Sequence, residues 1–225
     1  QARDPENPDQ GLSAQELHDQ TMVMFQAGHE TTATAMTWWS GLIARHPEVA
    51  DRIHAEIDAV LQGATPTPAT LQQLPWLQAS LKEAMRLYPP AAVLMTRRTT
   101  QEVTVGPWTV PQGHLIAFTP YVIQRDARWF ESPDEFKPER FLPGAPDIPR
   151  GAWMPFGTGP RVCIGQHFAM LEMALIGAML MQRFRLEWPE GEPWPEGDLA
   201  VTLRPAQAIR LKLHQRAAIT PPQIG

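Results

Sequence analysis

The chain has 225 residues, 43% apolar and 19% charged, which suits a packed core in one domain or at most two small ones and excludes a disordered or coiled-coil chain. A formal net charge of -5 removes the electrostatic case for nucleic-acid binding by the chain as a whole, and a single cysteine excludes an intramolecular disulfide and any CxxC-type zinc site. The 24 prolines predict long irregular stretches, and no apolar run reaches the ~18 residues of a membrane span. No signal peptide is visible. The first residue, Gln1, leads to the expectation that an upstream segment has been removed or was never included.

Residues 1–12 are polar and read as an incoming loop. Ser13 and Glu16 have the S-x-x-E form of a capping box, and a helical pattern runs from there to about Arg45. Leu17, Thr21, Met24, Gly28, Thr31, Ala35, Trp38 and Leu42 recur in steps of three and four, which places them on one face. His46-Pro47 stops this helix, because the residue before proline is pushed out of the α region. A second amphipathic helix covers residues 48–61. Gly63 and TPTP make a connector, and a helix from about Pro75 to Tyr88 ends at Pro89-Pro90.

The β-branched alternation of residues 97–110, turning at Gly106-Pro107, predicts an antiparallel hairpin. A short helix is expected over residues 115–124, then mostly loop over 125–162, with prolines at 133, 138, 143, 146, 149, 155 and 160. So long a loop in a compact domain is unusual unless it is functional. An apolar helix over 164–184 and short strands near 185–188, 199–203 and 209–213 complete a mainly α chain with small antiparallel sheets.

Cys163 lies in PFGTGPRVCIGQHF. Taken alone, a single cysteine is more often a buried small hydrophobe than a ligand. Its neighbours argue otherwise. Gly157, Gly159 and Gly165 let the backbone turn and approach something flat or anionic. Pro155 and Pro160 stiffen the turn. The following helix and Arg161 favour thiolate over thiol. A rigid loop presenting a thiolate suits a soft-metal axial ligand. A nucleophilic cysteine would need an oriented histidine base; His167 is four residues on, and nothing in the sequence argues for that arrangement.

In the long helix, Ala27-Gly28-His29-Glu30-Thr31-Thr32 interrupts a good helical sequence, because glycine and back-bonding threonines weaken the interior. It marks either a place where the helix opens or a small contact where another element crosses. Glu83 and Arg86, spaced i and i+3, are near enough to pair, although most such pairs are solvated. His29, His114 and His214 read as ordinary histidines, and His46 and His54 lack zinc-type spacing.

The run Phe156-Gly157-x-Gly159-x-Arg161-x-Cys163-x-Gly165 resembles the haem-binding signature of the cytochrome P450 superfamily of haem-thiolate monooxygenases. Three further elements are similar to that family: A-G-x-[D/E]-T-T at residues 27–32, Glu83-x-x-Arg86, and the FKPERF segment ending at Phe141. The resemblance spans residues 13–213, the C-terminal part of a haem domain, with residues 214–225 a tail of no assigned role. It implies haem b (iron protoporphyrin IX), with Cys163 the iron ligand, Arg161 on a propionate and Phe156 packed near the sulfur. Gly157 and Gly165 would lie against the cofactor. Arg97, or else Arg98, would bind the second propionate. Ala27 and Gly28 would leave space over the iron, and alanine at 27 argues against a covalent haem link. Glu30 would feed protons, and Thr31 would hold dioxygen and its water. Glu83, Arg86 and Arg140 would form a buried network that locks the cysteine loop.

The implied activity inserts one oxygen atom from O2 into a lipophilic substrate, an inference to which the apolar residues 91–95 add little. Electrons would come from a separate ferredoxin, flavodoxin or reductase, docking near Lys82 and Arg150. A peroxygenase or isomerase, or a truncated non-catalytic haem-domain fragment, are the alternatives. By the same resemblance the N-terminal half of the family's fold would be missing, so residues 17–42 and 169–180 should display uncovered apolar surface. A cytoplasmic location is expected, or else a membrane anchor through an N-terminal segment not present here.

Overall fold

The capping box forms as the sequence requires. In the computed structural model, which describes residues 3–4, 7–217 and 219, the Glu16 N–H donates to Ser13 Oγ at 3.2 Å and the Ser13 N–H donates to Glu16 Oε2 at 2.8 Å. From that cap α1 (Ala14–Arg45) runs for 32 residues. It stops at His46, and Pro47 opens α2 (Pro47–Leu61), a position where its missing N–H costs nothing. The TPTP connector holds one further turn, α3 (Pro68–Leu71), before α4 (Pro75–Leu87). No side chain at Leu74 caps α4. Instead Glu56 of α2 accepts from the N–H groups of Trp76 and Leu77 at 2.8 and 3.1 Å, while burial pushes its carboxyl above the usual range.

The core lies between the C-terminal half of α1, α2, α4 and α6 (Gln166–Arg183). Trp39 is fully buried, and its Nε1–H donates to Ser80 Oγ at 2.8 Å. At Gly177 of α6 a Cβ would sit 3.1 Å from Leu77 Cδ1 and 3.3 Å from the Trp39 ring, so glycine lets three helices meet there. Burying a side chain such as Leu77 or Ile53 contributes about 1.5–3 kcal/mol.

The expected single face of α1 is buried only over its second half. Ala35, Trp38 and Leu42 are core, whereas Leu17, Thr21, Met24 and Gly28 are exposed, and Phe25 is 69% exposed. Periodicity selects a face; it does not supply a neighbour to cover it. On α6, Phe168, Leu171, Leu175 and Ile176 are likewise exposed.

Several strands differ from the expectation. Residues 3–4 and 7–11, expected as loop, form the ribbon β1 (Arg3–Asp4) and β2 (Asn7–Gly11). Arg97 and Arg98 belong to β3 (Leu94–Arg98), separate from the hairpin of β4 (Val103–Val105) and β5 (Trp108–Val110). Gly106 supplies that hairpin's turn with φ of 56°. β3 pairs with β6 (Leu115–Phe118), where a helix was expected; only α5 (Pro120–Ile123) is helical. Proline begins a helix but does not continue one, so the helix starts at Pro120 and the preceding apolar residues pair as a strand. Residues 125–162 are irregular apart from 3-10 turns at Pro138–Phe141 and Gly159–Arg161. The strand expected near 199–203 is a hairpin, β8 (Gly197–Leu199) and β9 (Leu203–Pro205). β7 (Phe184–Glu187) pairs with β10 (Lys212–Gln215), so the fold runs past the boundary expected at 213, although residues 218 and 220–225 of the tail lie outside the described residues. Arg216 fastens this end, its Nη2 lying 2.6 Å from Asp58 Oδ2 and its N–H donating to Arg183 O at 2.8 Å.

His54 sits under that fastening. It is buried, Nε2 bonds Phe184 O at 3.2 Å, and Nδ1 has no partner. Burial, then the Arg216 charge, hold its pKa below the ordinary 6.5, with Arg185 adding to the depression and Asp58 partly opposing it. The unfolded chain therefore takes up a proton near pH 6.5 that the folded chain refuses. His54 stabilises fully above that pH, and the contribution falls away as the pH drops below it. His54→Gln should flatten the decline in melting temperature between about pH 7 and 5; an unchanged acid limb would remove His54 as its source.

Candidate functional site

The frame of the site is a buried ion pair. Glu83 and Arg86 are both 0% exposed, and they meet through Nε to Oε2 at 2.7 Å and Nη2 to Oε1 at 2.8 Å, the bidentate geometry that favours arginine over lysine. The remaining guanidinium hydrogens go to the carbonyls of Gln124, Pro133 and Glu135 at 2.8, 2.7 and 3.1 Å. The Phe130 ring lies 4.9 Å from the guanidinium carbon. Glu83 Oε1 also accepts from the Lys137 N–H at 2.9 Å and from Arg140 Nε at 3.3 Å. Arg140 in turn donates to Ser132 O at 3.0 Å. The three expected network residues are thus together, and they pin the irregular 131–140 segment to α4.

Gln124, which sequence reasoning missed, extends this frame to the cysteine loop. Its side-chain NH2 donates to the carbonyls of Met85 and Arg86, both at 3.0 Å, and its Oε1 accepts from the Met154 N–H at 2.7 Å. Trp153 Nε1–H reaches Lys82 O at 3.3 Å. Nothing local marks a glutamine at a helix end for this bridging role.

Beyond Met154 the loop folds on its own backbone. The Gly157 N–H donates to Met154 O at 3.0 Å, Val162 N–H to Gly159 O at 3.0 Å, and Cys163 N–H to Phe156 O at 2.9 Å. Gly157 and Gly159 both have φ of 73°, a conformation that favours glycine. Phe156 packs half-buried against the core. Cys163 comes two residues before Gly165, the N-cap of α6, where first-turn N–H groups are open. The loop brings Phe156, Gly157, Arg161, Cys163 and Gly165 together.

Cys163 is exposed, not a packed core residue. Around it Val162 and Phe168 are exposed, and Ile164 is 92% exposed. A Cβ at Gly159 would meet nothing within 4 Å, and one at Gly165 would meet only Cys163 Sγ, at 3.9 Å. Among the described residues no group of three His, Cys, Asp or Glu is placed to hold a bare metal ion. An open sulfur flanked by apolar side chains and uncongested backbone fits a flat apolar group that carries its own metal. Arg161 is exposed beside it. Arg97 and Arg98 are adjacent in β3, opposite Ile116 and Leu115. Arg98 Nη1 donates to Gly113 O at 2.7 Å. Lys82, Arg140 and Arg150 line one open cleft of about 430 Å³ with Gly157.

The interrupted segment of α1 stays helical. Thr31 Oγ1 donates to Ala27 O at 2.7 Å, the back-bond that lets a threonine sit in mid-helix. Ala27, Gly28 and Glu30 are exposed, Thr31 is half-buried, and a Cβ at Gly28 would meet nothing within 4 Å. No described residue crosses closely at Gly28. The segment is tied instead to the β8–β9 turn, where Thr202 Oγ1 donates to Glu30 Oε1 at 2.8 Å, and further along α1 the Trp38 Nε1–H donates to Leu203 O of β9 at 2.7 Å. Thr202 is a second residue that sequence reasoning did not single out.

The family model described as Cytochrome P450 matches residues 1–213. Cyclooctatin synthase of Streptomyces melanosporofaciens is 40% identical over 200 residues, 88% of this chain and 43% of that protein. Pentalenene oxygenase of Streptomyces avermitilis is 36% identical over 207 residues, 91% of this chain and 45% of that protein. The solved structure of retinoic acid bound cyanobacterial CYP120A1 superposes with a TM-score of 0.88 at 33% identity, covering 96% of this chain and 49% of that one. The chain therefore spans less than half the length of these relatives.

Proposed function

The chain belongs to the cytochrome P450 family, and on that premise we propose that it forms the haem-binding part of a monooxygenase that inserts one oxygen atom from O2 into a lipophilic organic substrate. The second oxygen atom leaves as water, with two electrons from a separate ferredoxin, flavodoxin or reductase and two protons relayed by the protein. The observation that carries the reading is the exposed Cys163 thiol, held by a backbone-bonded loop at the open end of α6. Haem b, held through the Cys163 thiolate, would supply the electron donation that oxygen activation needs.

The chain's own residues then divide the work. Cys163 would hold the iron, with Phe156 packed near the sulfur. Gly157 and Gly165 let the backbone lie close to the ring. Arg161 and Arg97 pair with the propionates. Ala27 and Gly28 would leave room for the bound group, since nothing lies within 4 Å of a Cβ at Gly28. The Thr31 hydrogen is donated to Ala27 O, which leaves its oxygen lone pairs to accept from a water or a protonated oxygen. Glu30, one residue earlier, supplies the carboxylate that takes and passes the proton. Lys82 and Arg150, on the cleft beside the loop, suit an acidic electron donor. The exposed apolar faces of α1 and α6 are where the rest of the family's fold would pack.

The test is the spectrum of the reduced, carbon-monoxide-bound protein together with its coupling. A strongly red-shifted Soret band is expected, with product formation dependent on reductant. Thr31→Ala should keep that band and lower product formed per reductant consumed by roughly tenfold, as for loss of one hydrogen bond. A band without the red shift overturns the haem-thiolate reading; unchanged coupling removes Thr31 from the relay.

A further inference from the structure

We propose that Thr202 is a positioning residue for Glu30, presenting the carboxylate to the relay in one fixed orientation. This rests on the reading of Glu30 as the proton carrier. Glu30 lies in the exposed stretch of α1, where a glutamate free in solvent spreads over many rotamers. Here one oxygen is held. Thr202 Oγ1 donates to Oε1 at 2.8 Å, across 172 residues of sequence.

The donor is itself fixed. Thr202 is 3% exposed, whereas its neighbour Val201 is 85% exposed. A buried hydroxyl needs a hydrogen-bond partner, and the Glu30 carboxylate supplies it. On the next residue, Leu203 O accepts from Trp38 Nε1–H at 2.7 Å and the Leu203 N–H donates to Pro90 O at 2.9 Å. On the other side Thr34 Oγ1 lies 3.4 Å from Thr202 Oγ1. A hydroxyl has one hydrogen, and that of Thr202 goes to the carboxylate, so Thr34 is the donor in this longer contact. With Oε1 held, Oε2 is the oxygen left to take up and release the proton.

The experiment compares Thr202→Val, which keeps the shape and removes the donor, with Thr202→Ser, which keeps the donor. In the full chain labelled at glutamate carboxyls, the infrared band of Glu30 is the one missing from Glu30→Gln. It should shift to higher frequency in Thr202→Val and stay in place in Thr202→Ser. In the haem-loaded protein, Thr202→Val should lower coupling roughly tenfold, as for one hydrogen bond to a charged group, with Thr202→Ser restoring it. An unmoved band in Thr202→Val overturns the contact. A moved band with unchanged coupling, while Glu30→Gln loses coupling, overturns the positioning role. If Glu30→Gln itself leaves coupling intact, the relay reading fails and the proposal with it, whatever the band does.

Discussion

Arg86→Leu is expected to cost the chain about 3–5 kcal/mol of stability, a large share of a typical domain's total. The substitution leaves Glu83 fully buried with only the Lys137 N–H and the 3.3 Å contact from Arg140. It also strips the carbonyls of Gln124, Pro133 and Glu135 of their donors. The loss is that of an uncompensated charge, larger than the net worth of the pair. Replacing both partners, as Glu83→Met with Arg86→Leu, should therefore cost less than Arg86→Leu alone. Because Gln124 bonds both the end of α4 and the Met154 N–H, the single variant should also loosen the cysteine loop. Urea unfolding followed by tryptophan fluorescence reads the stability; a loss below about 1 kcal/mol would show the pair to be no stronger than a solvated one.

That ion pair marks the limit of what local sequence reveals. The spacing of Glu83 and Arg86 says that they can touch, and for most such pairs that is a solvated contact. What buries this one comes from 38 to 57 residues away, in Gln124, Pro133, Glu135 and Arg140. The Ser13 capping box and the stop at His46-Pro47 were legible because each rests on residues within one turn. The cysteine loop was legible for the same reason: its turns close on its own backbone. The apolar residues 115–118 were not, since four such residues suit a helix or a strand equally until β3 is found beside them. Thr202 and Gln124 carry no local pattern at all; their partners lie in distant elements, and only the fold brings them together.

Cys163→Ser should behave in the opposite way to Arg86→Leu, leaving the fold intact and removing the spectroscopic signature. The loop around residue 163 is held by main-chain hydrogen bonds, from Gly157 to Met154, Val162 to Gly159 and Cys163 to Phe156, none of which uses the sulfur. The side chain is exposed, and a Cβ at Gly165 would meet it at 3.9 Å. An exposed substitution of this kind changes stability by no more than about 0.5 kcal/mol, so unfolding of the haem-free chain should be unaltered. A neutral serine hydroxyl gives iron neither the soft donor nor the negative charge of a thiolate. The reduced, carbon-monoxide-bound protein should therefore lose the red-shifted Soret band. If Cys163→Ser kept that band, the sulfur would not be the ligand. If instead it unfolded the haem-free chain, Cys163 would belong with Glu83 and Arg86 as part of the frame.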